Sequence, residues 1–265
     1  MRRSARLLVL AAALATLVAC GGSSDDAATS DLDTDLTQTP AQCPVRDHLA
    51  SEYNGRTRGG VETPVDYAFL EAYRGECLPV RYNPCEPIHY VVNGALAPAG
   101  VLDDLREAIR RVEAATGLTF VDDGTTDEPA ALSRTLSQDR YGNRWAPVLV
   151  VFEHGERFRM DASNPAGGQS VAVDDVYVSG ILIVNVDAAP PARGFGDGNT
   201  WGRVFIHELG HIVGLGHVAR SDQIMFSELA VQRGPAEFHA GDLAGLRLVG
   251  KEAGCIPTPP APVRR

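Results

Sequence analysis

Lysine is almost absent. Lys251 is the only one among the 24 cationic residues of this 265-residue chain, which carries 34 acidic residues and a formal charge of −10. An acidic chain without a basic stretch offers no footprint for a phosphate backbone, so nucleic acid is excluded as a partner, and so is electrostatic adhesion to anionic lipid. Long apolar runs are missing too. The N-terminal run Leu7–Val18 is too short for an ordinary membrane-spanning helix, and no other segment could span a bilayer. Internal repeats are also lacking. What the chain does have is 44% hydrophobic residues, enough to bury one good-sized core or a core plus a small satellite.

Arg2, Arg3 and Arg6 precede the short apolar run, which ends Leu17-Val18-Ala19-Cys20. This ending resembles the lipobox of bacterial lipoproteins, in which cleavage falls before the cysteine and the cysteine carries the lipid. The alternative is an ordinary secretory signal cut near Ala19, leaving Cys20 free. Both readings export the protein. The expected location is the outer face of a bacterial cell membrane, held by lipid on Cys20, with release into the medium as a variant. Loss of residues 1–19 removes three arginines and no acid, taking the formal charge from −10 to −13. Four further cysteines remain, Cys43, Cys77, Cys85 and Cys255. An even number in an exported chain points to two disulfides. Three pairings are open, and the one expected is Cys43–Cys77 with Cys85–Cys255.

The chain divides by composition. Residues 1–19 are the leader, and residues 20–42 are an acidic tether of Gly, Ser, Asp and Thr. Residues 43–84 read as a small N-terminal extension with a weak helical pattern around Val65–Tyr73, which the cysteines would hold together. Residues 85–256 form the main domain, and residues 257–265 a proline-rich tail. Within the domain, Ile88–Asn93 is β-branched and aromatic, hence a strand. Val101, Leu102, Leu105, Ile109 and Val112 form a helical stripe over residues 101–116. Further strands are expected at Leu118–Val121, closed by a turn at Asp122-Asp123-Gly124, at Pro147–Phe152, Gln169–Val173 and Tyr177–Val186. Helices are expected at Trp201–Val213, capped by Asn199 or Thr200, and at Ala236–Leu248. This alternation is an α/β or α+β plan.

His207-Glu208-Leu209-Gly210-His211-Ile212-Val213-Gly214-Leu215-Gly216-His217 carries the chemistry. It reads H-E-x-x-H-x-x-G-x-x-H. Four residues apart on a helix, His207 and His211 share one face, with Glu208 beside them. Gly214 takes the left-handed backbone angles that end the helix and let His217 return as a third imidazole. Three protein ligands leave one tetrahedral position open, as at a catalytic zinc.

With Met225 eight residues after His217 and the Asp242–Gly250 segment downstream, the chain resembles the metzincin metallopeptidases, most closely the matrixins, from about Cys85 to Gly250. The resemblance implies a twisted, mixed five-stranded sheet with an antiparallel edge strand, an active-site helix and a C-terminal helix. It implies a zinc endopeptidase acting on proteins or peptides, with one catalytic zinc held by His207, His211 and His217. Glu208 would be the general base, Met225 would pass beneath the histidines, and Asp242 would support that turn. Substrate would lie along an edge strand near Gln169–Asp174, and residues 226–238 would wall the adjoining pocket. A monomer is expected. The chain departs from the family at Val218, Phe226 and Ser227, and it has no cysteine-switch motif; Cys43 is read as a disulfide partner.

Other candidates have plainer readings. His89 in a strand, His154 in a turn and His239 at a helix start lack ligand spacing. Two oxygen-rich loops, residues 122–128 and 194–199, are candidates for structural Ca2+ but match no defined calcium loop. Three alternative readings stay open: a non-catalytic zinc-containing surface lipoprotein, a peptidase of peptidoglycan cross-bridges, and a purely structural zinc site.

Overall fold

A computed structural model of the chain describes residues 67–71, 78–189, 191–218 and 220–262. The leader, the tether, Cys20, Cys43 and Cys77 lie outside these residues, and so does the expected Cys43–Cys77 bridge.

Five strands form the main sheet: β2 (Ile88–Asn93), β3 (Phe120–Thr125), β4 (Val148–Glu153), β5 (Ala166–Val173) and β6 (Val176–Asn185). Their order is β3-β2-β4-β6-β5. All neighbours are parallel except β5, which runs antiparallel to β6 at one edge. The uninterrupted apolar run of β4 follows from burial on both faces. Val148, Val150 and Phe152 enter the main core, while Leu149 and Val151 join Val91, Phe158, Met160, Ile181 and Ile183 in a second cluster on the opposite face.

Helix α1 (Val101–Thr116) buries Val101, Leu105, Ala108, Ile109 and Val112 against the main face. Each large side chain so buried contributes about 1.5–3 kcal/mol. Gly117, at φ 69°, ends the helix and donates its N–H to Glu113 O at 2.8 Å. Two more helices share this face, α2 (Trp201–Val213) and α3 (Ala240–Val249). Helix α3 starts four residues later than its sequence suggests, because Ala236 N–H is engaged by Phe195 O at 2.9 Å and His239 caps the helix. No helix among the described residues is long and apolar enough to cross a membrane.

Two expectations need correction. The described part of the 65–73 pattern is not helical: Ala68–Phe69 is a strand, β1, paired with Leu215–Gly216, β7. Tertiary pairing overrides a weak local preference there. Asp122-Asp123-Gly124 is not a turn but lies inside β3, where the ladder to β2 shifts register between Tyr90 and Val92 and Gly124 takes φ 92°.

The acids of the two oxygen-rich loops face protein donors, which leaves Ca2+ without support there. Asp123 pairs with His89 and Arg144, Asp127 with Arg140, and Asp197 accepts from Gly234 N–H. Glu128 grips Arg134 through both oxygens at 2.6 and 2.8 Å, with both side chains under 7% exposed. Burial alone would raise the Glu128 pKa, but hydrogen bonds from Arg134, Gln138 and Tyr141 outweigh it and hold the carboxyl below its ordinary 4.5. With the folded value below the unfolded one, this group's stabilisation is present above about pH 4.5 and fades as pH falls further. Arg134→Met, which strands the buried carboxylate, is expected to lower stability by about 3–5 kcal/mol in urea unfolding at pH 7. A loss under about 1 kcal/mol would mean that the pair is not buried in solution. Cys85 and Cys255 are bonded as expected, Cα atoms 5.5 Å apart.

Candidate active site

Helix α2 is buried along all thirteen residues. Thr200 caps it, its hydroxyl accepting from Arg203 N–H at 3.2 Å. A helix enclosed on every side must find partners for each polar group it carries. His207 Nδ1 donates to Ile224 O at 2.7 Å, and His211 Nδ1 to Leu215 O at 2.8 Å. A carbonyl only accepts, so each ring carries its proton on Nδ1 and turns an Nε2 lone pair inward.

Gly214 ends α2 at φ 116°, its N–H shared between Gly210 O and His211 O. A Cβ there would stand 3.0 Å from Val80 O. The chain then passes through β7 to His217. On its far side, Val218 N–H donates to Met225 O at 3.0 Å. Held from both sides, His217 places its Nε2 3.3 Å from that of His207 and 3.1 Å from that of His211; the latter two lie 3.1 Å apart.

Burial pushes the His207 pKa well below 6.5 and that of His211 down to about 3, and the neighbouring imidazoles push the same way. Both rings are therefore neutral at pH 7, the form that binds a metal. Three Nε2 atoms at such separations match a tetrahedral zinc shell, whose ligand atoms stand about 3.3–3.4 Å apart. Among the described residues, this is the one group of three or more His, Cys, Asp or Glu that could hold a metal ion.

Against α2 at Gly210, between His207 and His211 in the chain, packs Met225, 1% exposed. A Cβ on Gly210 would stand 2.5 Å from its sulfur, so a glycine inside the helix makes the room. Asp242 accepts from Ile224 N–H at 2.8 Å, Met225 N–H at 3.1 Å and His239 N–H at 2.9 Å. Burial raises the Asp242 pKa, and these backbone donors oppose it. The matrixin family model matches residues 90–249.

The chain belongs to the matrixin family. It is a zinc metalloendopeptidase with a metzincin-like fold. Among solved structures it matches high choriolytic enzyme 1, a hatching enzyme zinc-protease from Oryzias latipes (medaka fish). That match covers 68% of this chain and 98% of the other, at 12% identity and a TM-score of 0.39. A search of curated proteins returns no match.

In this matrixin, β5 runs directly beside α2. Ser170 Oγ donates to Ile212 O at 2.8 Å. A Cβ on Gly168 would stand 2.7 Å from Glu208 O and 3.2 Å from Glu208 Oε2. Only a residue without a side chain lets the edge strand reach the glutamate. Gly168→Ala is expected to push β5 away from α2, lowering stability by about 1–3 kcal/mol and turnover with it. Unfolding and peptide turnover measured together check this, and wild-type values in both would show that the strand has slack.

The residues that the sequence singled out separate cleanly. His207, Glu208, His211, Gly214, His217, Met225 and Asp242 converge. His89 lies on Asp123 and His154 on Asp187, while His239 caps α3. Several contributors carried no motif. Gln223 Oε1 accepts from Asp242 N–H at 2.9 Å, and Gln232 Nε2 donates to Gln223 O. Arg203, 2% exposed, reaches Gln232 Oε1 at 3.0 Å, Gly198 O at 2.9 Å and Gly234 O at 2.6 Å. The one available signal was Gly210, a helix-interior glycine that costs about 1 kcal/mol relative to alanine.

Proposed function

We propose that this matrixin is an exported, monomeric endopeptidase acting on extracellular proteins or peptides. His207, His211 and His217 would hold one zinc and Glu208 would serve as general base. The observation that carries this reading is the convergence of three Nε2 atoms at 3.1–3.3 Å. Zinc held there would supply a Lewis acid that polarises the scissile carbonyl and acidifies the attacking water.

The remaining work falls to the chain's own groups. Glu208, fully buried, sits next to His207 on α2 with Oε2 toward Gly168 of the edge strand. Its carboxylate takes a proton from the hydrolytic water and returns it to the leaving amine. Strand β5 has β6 on one side and no strand on the other among the described residues. That open side accepts an extended substrate as an added strand and sets the peptide bond beside Glu208. Asp242 and Met225 keep the floor of the site fixed.

A soluble form from residue 43, assayed on casein and a peptide library, tests the activity. Cleavage should stop with a chelator and return with added zinc. A form that holds one zinc and cuts nothing would sink the reading. Export and anchoring rest on the leader and Cys20. Labelled fatty acid should enter the wild-type chain and not Cys20→Ser, and equal labelling of the two would exclude the anchor.

A further inference from the structure

The two residues of β1 do more than extend the domain. Ala68 pairs with Gly216 and Phe69 with Leu215, and Leu70 N–H donates to Gly214 O at 3.0 Å. These three partners are the whole link between the end of α2 and His217. The same link serves His211, because Leu215 O is the acceptor of its Nδ1–H. Approach is close throughout. A Cβ on Gly216 would lie 3.0 Å from Phe69 O, and one on Gly245 of α3 would lie 2.9 Å from Leu215 Cδ2 and 3.0 Å from Tyr67 Cβ. Tyr67 and Phe69, each 2% exposed, pack with their rings tilted at 5.6 Å between centroids and wedge this strap into the core. Leu215 and Gly216 are themselves buried, and β1 supplies the partners that their ladder groups need there.

We propose that residues 67–70 are a positioning strap for the metal site, holding Leu215–Gly216 so that His211 and His217 keep their Nε2 atoms 3.1 Å apart. The segment before the main sheet is then a working part of the centre and not a removable cover. The proposal rests on the assignment of these histidines as zinc ligands. Phe69 acts through the β7 backbone and is a positioning residue.

The test is a double-mutant cycle between Phe69→Ala and His217→Ala in the full chain, read as zinc affinity by chelator competition. The visible spectrum of the cobalt-substituted protein is the second readout. Phe69→Ala should weaken zinc binding about 10- to 100-fold, as for other groups that orient metal ligands. It should also change the cobalt spectrum, and Phe69→Leu should restore both. In the His217→Ala background the same change should have a smaller further effect, since of the two ligands it positions only His211 remains. Should Phe69→Ala not fold, Phe69→Val carries the same comparison. Wild-type affinity in a folded Phe69 variant, or losses that simply add to that of His217→Ala, overturn the strap. If His217→Ala alone binds zinc like wild type, the ligand assignment fails and the strap falls with it.

Discussion

Glu208→Gln should lower kcat by roughly 10²- to 10⁴-fold while leaving zinc bound. The carboxylate is not one of the three converging donors, so the metal has no reason to leave. Glutamine keeps the volume and shape of a side chain that is fully buried in α2. It cannot take up a proton, which is the task proposed for the glutamate. Because the replacement is isosteric, the variant should melt close to wild type. Peptide turnover, metal content and a thermal melt on one preparation decide the matter. Turnover within a factor of three of wild type, with zinc in place, would remove Glu208 from the mechanism. Loss of zinc together with activity would instead make Glu208 part of the metal shell.

The second large effect is expected at Asp242, which is bonded to none of His207, His211 and His217. Its carboxylate takes three backbone N–H groups, from His239, Ile224 and Met225. The Ile224 peptide it steadies presents the carbonyl that orients His207. Asp242→Ala strands donors in a place water does not reach, at about 1–3 kcal/mol for each buried one. Stability should fall by about 3 kcal/mol or more, and zinc affinity by about 10- to 100-fold, because the His207 ring loses its fixed acceptor. Asp242→Asn keeps one acceptor oxygen but turns an amide toward N–H groups, so it should lie between the two. Urea unfolding and chelator competition measure the two effects separately. If Asp242→Ala lost stability and kept full zinc affinity, the turn would be a structural element without influence on the ligand.

Much of this centre could be read from residue order, since its parts are local. The spacing of His207, His211 and Gly214 is a helical repeat followed by a helix end, and the bounds Trp201–Val213 emerge from pattern alone. The stripe of α1 and the doubly buried run of β4 were legible for the same reason: each element repeats its own period over several turns or pleats. The family match over residues 90–249 agrees with the resemblance carried by those motifs.

What stayed hidden depends on distant partners. A two-residue strand such as β1 has no period to display, and its identity comes from Leu215–Gly216, more than 140 positions away. Arg203, Gln223 and Gln232 look like surface residues in one dimension, because nothing in their neighbours announces that they are under 4% exposed and bonded to one another. Glu128 reads as a loop ligand until Arg134 folds over it. Buried polar pairs of this kind are set by three-dimensional complementarity, for which sequence carries no repeat.

The bond between Cys85 and Cys255 joins residues 170 positions apart. It turns nearly the whole catalytic body into a covalent ring. Closing a loop of that length removes about 5 kcal/mol of freedom from the unfolded chain. For a peptidase that meets copies of itself, topology matters as much as energy. A single cut at any loop between the two cysteines opens the ring but releases no fragment. The nicked enzyme keeps its parts at high mutual concentration and runs as one species until a reductant separates them.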